Sequence, residues 1–122
     1  MLKGRAVIAV IDDNPDFVDA IDSMLSSYGY DTELYASAEA FRKTAAQSKA
    51  VCLIVDVDLG DSCGIELARQ LAEQGFNFPI IYVTGSDNQL AKRRAEETGC
   101  VAFLHKPFPA AVLVEALTKA IK

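Results

Sequence analysis

The sequence has a single histidine, His105, and its three cysteines, Cys52, Cys63 and Cys100, show no CxxC spacing. One histidine makes no metal cluster, and an odd set of thiols without ligand spacing argues against a zinc site and a disulfide framework. No Gly-x-Ser-x-Gly elbow or Ser-His-Asp arrangement accompanies His105, which reads as an edge or surface residue. No G-x-G-x-x-G or P-loop is present, and there is no internal repeat, low-complexity tract or linker. No apolar run approaches the roughly 20 residues that span a bilayer. Met1-Leu2-Lys3-Gly4-Arg5 leads straight into a strand-like run with no signal-peptide core. Positive charge is also scarce: 12 Lys and Arg stand against 17 Asp and Glu, a net charge of −5. That balance argues against holding DNA or RNA by phosphate neutralisation. The Lys92-Arg93-Arg94 run reads as a solvated helix face, and a reducing cytoplasm fits the thiols.

What is present is enough for one compact domain, expected over residues 1–122. Four runs, Ala6–Ile11, Val51–Val55, Pro79–Val83 and Val101–Leu104, are apolar on both faces and rich in β-branched residues. Such runs suit a parallel sheet covered by helices. Thr32-Glu33-Leu34-Tyr35 alternates and is expected at a sheet edge. Cys52 reads as a small core residue within its strand.

The stretches between have helical spacing. Phe17, Ile21, Met24, Leu25 and Tyr28 share one face, with Asn14 as cap, Pro15 in the first turn and Gly29 as stop. Ser37–Gln47 predicts a weaker helix anchored by Phe41. Ile65, Leu67, Ala68, Leu71 and Ala72 form a third helix face, closed by Gly75. Ser86-Asp87-Asn88-Gln89 resembles a capping box opening a helix to about Thr98, with Gly99 as stop. Its apolar face (Leu90, Ala91, Ala95) is thin, which suits an element of low local stability. Val112, Leu113, Ala116, Leu117 and Ile121 make the last face, opened by Pro109. Five βα units in a row give an open, doubly wound α/β sheet with helices on both faces.

The polar residues follow the strands. Asp12 and Asp13 come after the first, Asp56 after the third, Thr84 after the fourth and Lys106 after the fifth. Open α/β sheets bind ligands outside the carboxyl ends of their strands, so these side chains are expected on one rim. Three crowded carboxylates repel unless protonated or bridged by a cation. A hard oxygen site suits Mg2+ completed by water and phosphate. Asp56 is then the natural nucleophile for in-line phosphoryl transfer, with Lys106 and Thr84 contacting phosphoryl oxygens. Alone, Asp12-Asp13 would read as a helix start, Thr84 as a turn residue and Lys106 as a solvated charge. Together they do not.

Asp12-Asp13, Asp56, Thr84-Gly85 and Lys106-Pro107-Phe108, in this order and spacing, resemble the response regulator receiver domains of two-component signalling systems, the CheY-like family, over essentially the whole chain. Ser37-Ala38-Glu39-Ala40-Phe41 and Phe103–Phe108 look most like FixJ-type receivers. The resemblance implies a flavodoxin-like (βα)5 fold with strand order 2-1-3-4-5. It also implies phosphorylation of Asp56 by a sensor histidine kinase or histidine phosphotransfer protein. Further implied are Mg2+ (with Mn2+ as substitute) on Asp12 through water, Asp13, Asp56 and the Asp58 backbone carbonyl, and a cis Lys106–Pro107 bond. Thr84 and Phe103 would form the switch, acting on the surface of the fourth helix, fifth strand and fifth helix. That surface is also the candidate homodimer face, and the output would pass to an effector domain or protein.

The chain departs from the family in carrying Gly60 where many receivers have proline, four residues after the phosphoacceptor. That predicts a more mobile loop. Asp58 adds an acid expected to influence phosphoryl lifetime. Phe103 lacks the hydroxyl of tyrosine and is equally readable as plain core, and Cys63 reads as a spectator. Two other functions remain open. Asp56-Val57-Asp58 resembles the DxD of haloacid-dehalogenase-like phosphatases, although the order of the acids is reversed and the chain is short for that fold. A flavin- or nucleotide-binding module would use the same architecture. Either a stand-alone regulator or a receiver from a longer protein fits a chain ending at Lys122.

Overall fold

In a computed structural model, residues 5–87 and 89–121 are described. Met1–Gly4, Asn88 of the expected capping box and Lys122 lie outside them. Strands and α-helices alternate along the described residues: β1 Val7–Ile11, α1 Pro15–Ser27, β2 Asp31–Tyr35, α2 Ala38–Thr44, β3 Ala50–Asp56, α3 Gly64–Glu73, β4 Ile80–Thr84, α4 Gln89–Thr98, β5 Ala102–His105 and α5 Ala110–Ile121. All strand pairs are parallel, and the order is β2-β1-β3-β4-β5.

Burial on both faces explains the continuous apolar strands. Ala9, Ile11, Leu53, Val55 and Tyr82 point to one core with Phe41, Leu67 and Leu71. Ile8, Val10, Cys52, Ile54, Ile81 and Val83 point to the other with Ile21, Leu25, Leu113 and Leu117. Strand side chains alternate between faces, so a run with no polar break fills both layers. β2 lies at the edge and is the strand with polar alternation.

The helix ends follow local chemistry. Asn14 accepts hydrogen bonds from the amides of Asp16 and Phe17, and Pro15 occupies the first turn. Phe41 is fully buried, a contribution of about 1.5–3 kcal/mol for a side chain of that size. It anchors a helix that ends earlier than the spacing predicts: α2 stops at Thr44, and Ala45–Gln47 tighten into a 3-10 turn.

Four apolar faces are narrower than expected. Tyr28 is 53% exposed, at the C-cap of α1 beyond its last turn. Val112 and Ile121 are also exposed, and α5 buries Leu113, Ala116 and Leu117 instead. Ala72 faces solvent on α3. On α4 the thin face is thinner still: Ala91 and Ala95 are buried, whereas Leu90 is 64% exposed.

Parallel register levels the carboxyl ends of the strands. Ile11 pairs with Val55, Asp56 with Val83 and Thr84 with His105. The residues at or just after those ends therefore meet at one rim.

Candidate functional site

Asp12 follows β1 and is 1% exposed. Its amide donates to the Tyr35 carbonyl at 3.1 Å, and its Oδ1 accepts from the Asn14 amide at 2.9 Å. Asp56 ends β3, and its Oδ1 accepts from the Asp58 amide at 3.0 Å. Lys106 follows β5 and joins them: Nζ donates to Asp12 Oδ2 at 2.8 Å and to Asp56 Oδ2 at 3.2 Å. The Phe17 ring lies beneath the same ammonium, 4.0 Å from Nζ to its centroid. Phe17 in turn meets Phe108 edge to face at 6.2 Å.

Asp13 is exposed beside this pair. Ligand oxygens of Asp12, Asp13 and Asp56 all lie within 4.8 Å of one another. A cleft of about 400 Å3 opens beside Asp13 and Asp56, lined also by Asp58, Gly60, Thr84 and Lys106 among others. The electrostatics are those of an acid cluster with one cation. Burial pushes the Asp56 carboxyl above its ordinary value; the Asp58 amide opposes this, Asp12 adds to it, and Lys106 opposes it. Burial works against the Lys106 ammonium, but the hydrogen bond and charge of Asp12, with Asp56, outweigh it, and the net shift is upward.

This donor set fits a divalent cation. Three carboxylates within one ion's reach, open to water on the Asp13 side, match the oxygen-rich, partly hydrated coordination of Mg2+. One lysine leaves the cluster with excess negative charge that a cation would neutralise.

Thr84 is 1% exposed and already engaged. Its Oγ1 lies 3.2 Å from both the amide and the hydroxyl of Ser86. Phe103 is half-buried against Tyr82, ring centroids 6.3 Å apart, and borders a small cavity with Ser86 and Lys92. The Lys106–Pro107 peptide is cis. His105 is exposed on β5, and Lys92, Arg93 and Arg94 are solvated.

The family model for the response regulator receiver domain matches residues 8–118. The chain belongs to that family. It is 33% identical over 122 residues to the response regulator protein TodT of Pseudomonas putida, covering 100% of this chain and 54% of that protein. It is 31% identical to the transcriptional regulatory protein FixJ of Rhizobium meliloti, covering 93% of this chain and 55% of FixJ. The receiver therefore spans about half the length of these curated relatives. In structure it resembles FixJ-N with a TM-score of 0.90 and 29% identity, covering 98% of this chain and 95% of that one. FixJ-type receivers are thus among its relatives, and the flavodoxin-like fold with strand order 2-1-3-4-5 is shared. This receiver is a signalling module, and the match favours that reading over a phosphatase or a flavin or nucleotide module.

Two residues of the site escape the sequence reading. Phe17 reads there as one more apolar-face residue, and nothing marks it as the lysine's platform. Gly64 opens α3, where a Cβ would lie 2.2 Å from the Asp56 carbonyl oxygen and 2.7 Å from Val55 Cγ1. A glycine inside a helix costs about 1 kcal/mol relative to alanine. Its presence at the start of α3 was the available signal of close approach.

Proposed function

We propose that Asp56 accepts a phosphoryl group from a phosphohistidine on a sensor histidine kinase or histidine phosphotransfer protein. The observation that supports this most is the sharing of Lys106 Nζ between Asp12 and Asp56 at the mouth of a three-carboxylate cluster. An Asp56 oxygen attacks phosphorus, the P–N bond breaks, and the imidazole leaves with the electron pair and takes up a proton. The new bond is an acyl phosphate, P–O to Asp56. Asp13, Asp56, the Asp58 carbonyl and, through water, Asp12 would hold Mg2+, which would supply charge neutralisation at the phosphoryl group. Lys106 provides a further positive charge and Thr84 a hydroxyl donor. Asp12, buried and bonded to Lys106, keeps the ammonium over the reaction centre. Water attack on phosphorus returns free Asp56 and phosphate, and Asp58, exposed at the cleft, influences that rate.

In this reading residues 1–122 act as one receiver unit in the cytoplasm, without direct nucleic-acid binding. Phosphorylation shifts a population between two states through Thr84 and Phe103. The surface of α4, β5 and α5, which exposes Leu90 and Val112, carries the output to an effector or a second receiver. The decisive experiment is incubation with phosphoramidate or acetyl phosphate, with and without Mg2+, followed by mass spectrometry. The expected product is one base-labile phosphate on Asp56, dependent on Mg2+ and absent from Asp56→Asn. Phosphate on another residue, or none, rejects the reading.

A further inference from the structure

The loop from β3 to α3 carries Asp58 and Gly60, and its own Asp61 ties it to the start of α2. The first amides of a helix have no partner within it. In α2 the Ser37 hydroxyl accepts from the Ala40 amide at 3.1 Å. The two amides before it are taken by one carboxylate: Asp61 Oδ1 lies 3.4 Å from the Ala38 amide and Oδ2 lies 3.4 Å from that of Glu39. Ala38 is fully buried, so water is a poor substitute for Asp61 there. The two contacts together orient the Asp61 carboxylate across the start of α2.

Within the loop that fixation is passed on. The Asp61 amide donates to the Leu59 carbonyl at 2.9 Å, and the Leu59 amide donates to the Ser62 carbonyl at 3.0 Å. Asp58 bridges to Cys63. Gly60 has a φ of +81°, and a Cβ there would lie 2.9 Å from Asp13 Oδ2. Proline, with φ near −65°, does not fit this backbone. The loop has no ring to stiffen it, and its order must come from contacts.

We propose that Asp61 is a positioning residue for the metal site: its grip on α2 holds Gly60 against Asp13 and Asp58 beside Asp56. This rests on the proposed Mg2+ site. Asp61 coordinates nothing itself. It sets the geometry of groups that do.

Mg2+ affinity, measured by calorimetry on wild type, Asp61→Ala, Asp61→Asn and Ser37→Ala, tests this. Asp61→Ala is expected to weaken Mg2+ about tenfold, the scale of losing an outer partner of a metal ligand. Asp61→Asn keeps an acceptor oxygen for one of the two amides and turns a donor NH2 toward the other, so it recovers the affinity only in part. Ser37→Ala removes a cap on the same helix and leaves the affinity unchanged. If Ser37→Ala weakens Mg2+ as much as Asp61→Ala does, the stability of α2 and not the Asp61 grip sets the affinity, and the proposal is overturned. If Asp61→Ala lowers thermal stability while Mg2+ affinity holds, Asp61 is merely a helix cap, which also overturns it. A measurement without any variant guards against misfolding. Mg2+ added to wild type should shift the Ala38 and Glu39 amide resonances together with that of Gly60, and unmoved Ala38 and Glu39 amides refute the link. Absence of any Mg2+ binding by wild type is the separate failure of the metal reading; amide exchange across 59–63, faster in Asp61→Ala than in Asp61→Asn, then still decides whether Asp61 orders the loop.

Discussion

Lys106 Nζ rests 4.0 Å from the centre of the Phe17 ring while donating to two aspartates. The site's lysine is therefore held from three sides, and one of them is aromatic. A ring face attracts a cation by about 0.5–1 kcal/mol when exposed and more when desolvated.

Phe17→Leu keeps apolar bulk and removes that face. A double-mutant cycle with Lys106→Met, read by urea unfolding, is expected to give a coupling of about 0.5–1 kcal/mol. Phe17→Tyr should retain it. A coupling near zero would mean that the aspartates alone hold the lysine.

Gly64→Ala places a methyl group against the Asp56 carbonyl. The nearest atom is backbone and has no room to yield. A loss of about 1–3 kcal/mol, the usual scale of overpacking, is expected in chemical denaturation, together with altered Asp56 resonances. Unchanged stability would show slack between β3 and α3.

Asp56→Asn tests the electrostatic state of the cluster. The folded chain binds a proton at Asp56 more readily than the unfolded chain does, because burial disfavours the ionised carboxylate more than the Asp58 amide and Lys106 favour it. Its ionised form therefore costs stability at neutral pH, and that cost fades as pH falls through the raised value. Without Mg2+, Asp56→Asn should be more stable by about 0.5–2 kcal/mol, in the range of other charge corrections. The gain should shrink in acid, and stabilisation by Mg2+ should disappear. Thermal melts at several pH values decide it, and a variant less stable than wild type in EDTA would contradict this reading.

Thr84 must exchange its bonds to Ser86 to reach a phosphoryl oxygen. BeF3−, a phosphoryl mimic, should shift the amides of Ser86 and Phe103 and others across α4 and β5. If those signals stay put while Asp58 responds, no switch runs through Thr84.

Cys52 is buried, and burial pushes its thiol up to about 12. Keeping it protonated favours the fold at neutral pH, and this contribution is lost as pH rises from the unfolded value, near 9, toward 12. Iodoacetamide at mild pH should label the half-buried Cys63 and Cys100 well before Cys52. Early labelling of Cys52, followed by peptide mass spectrometry, would mean that β3 opens readily.

Much of the fold was legible because each layer leaves a period in the sequence. Cys52–Val55 has no polar break since both its faces are covered, and the more polar Thr32–Tyr35 lies in an edge strand, β2. The Asn14 cap and Pro15 marked the start of α1 by chemistry confined to a few residues. Periodicity overreached at helix ends. Tyr28 and Ile121 have the right spacing for a buried face but fall at or beyond the last turn, where both are exposed. Leu90 misleads in the same way at the first turn of α4.

The identities and order of Asp12, Asp13, Asp56, Thr84 and Lys106 are properties of the sequence, because parallel strands deliver whatever follows them to one rim. What tertiary structure alone decided is which atoms share a partner. Lys106 lies 94 residues from Asp12 and 50 from Asp56, and Asp61 reaches 23 residues back to the amide of Ala38. No local pattern encodes such pairings. They arise when sheet register and helix packing fix side chains from distant segments within hydrogen-bonding distance.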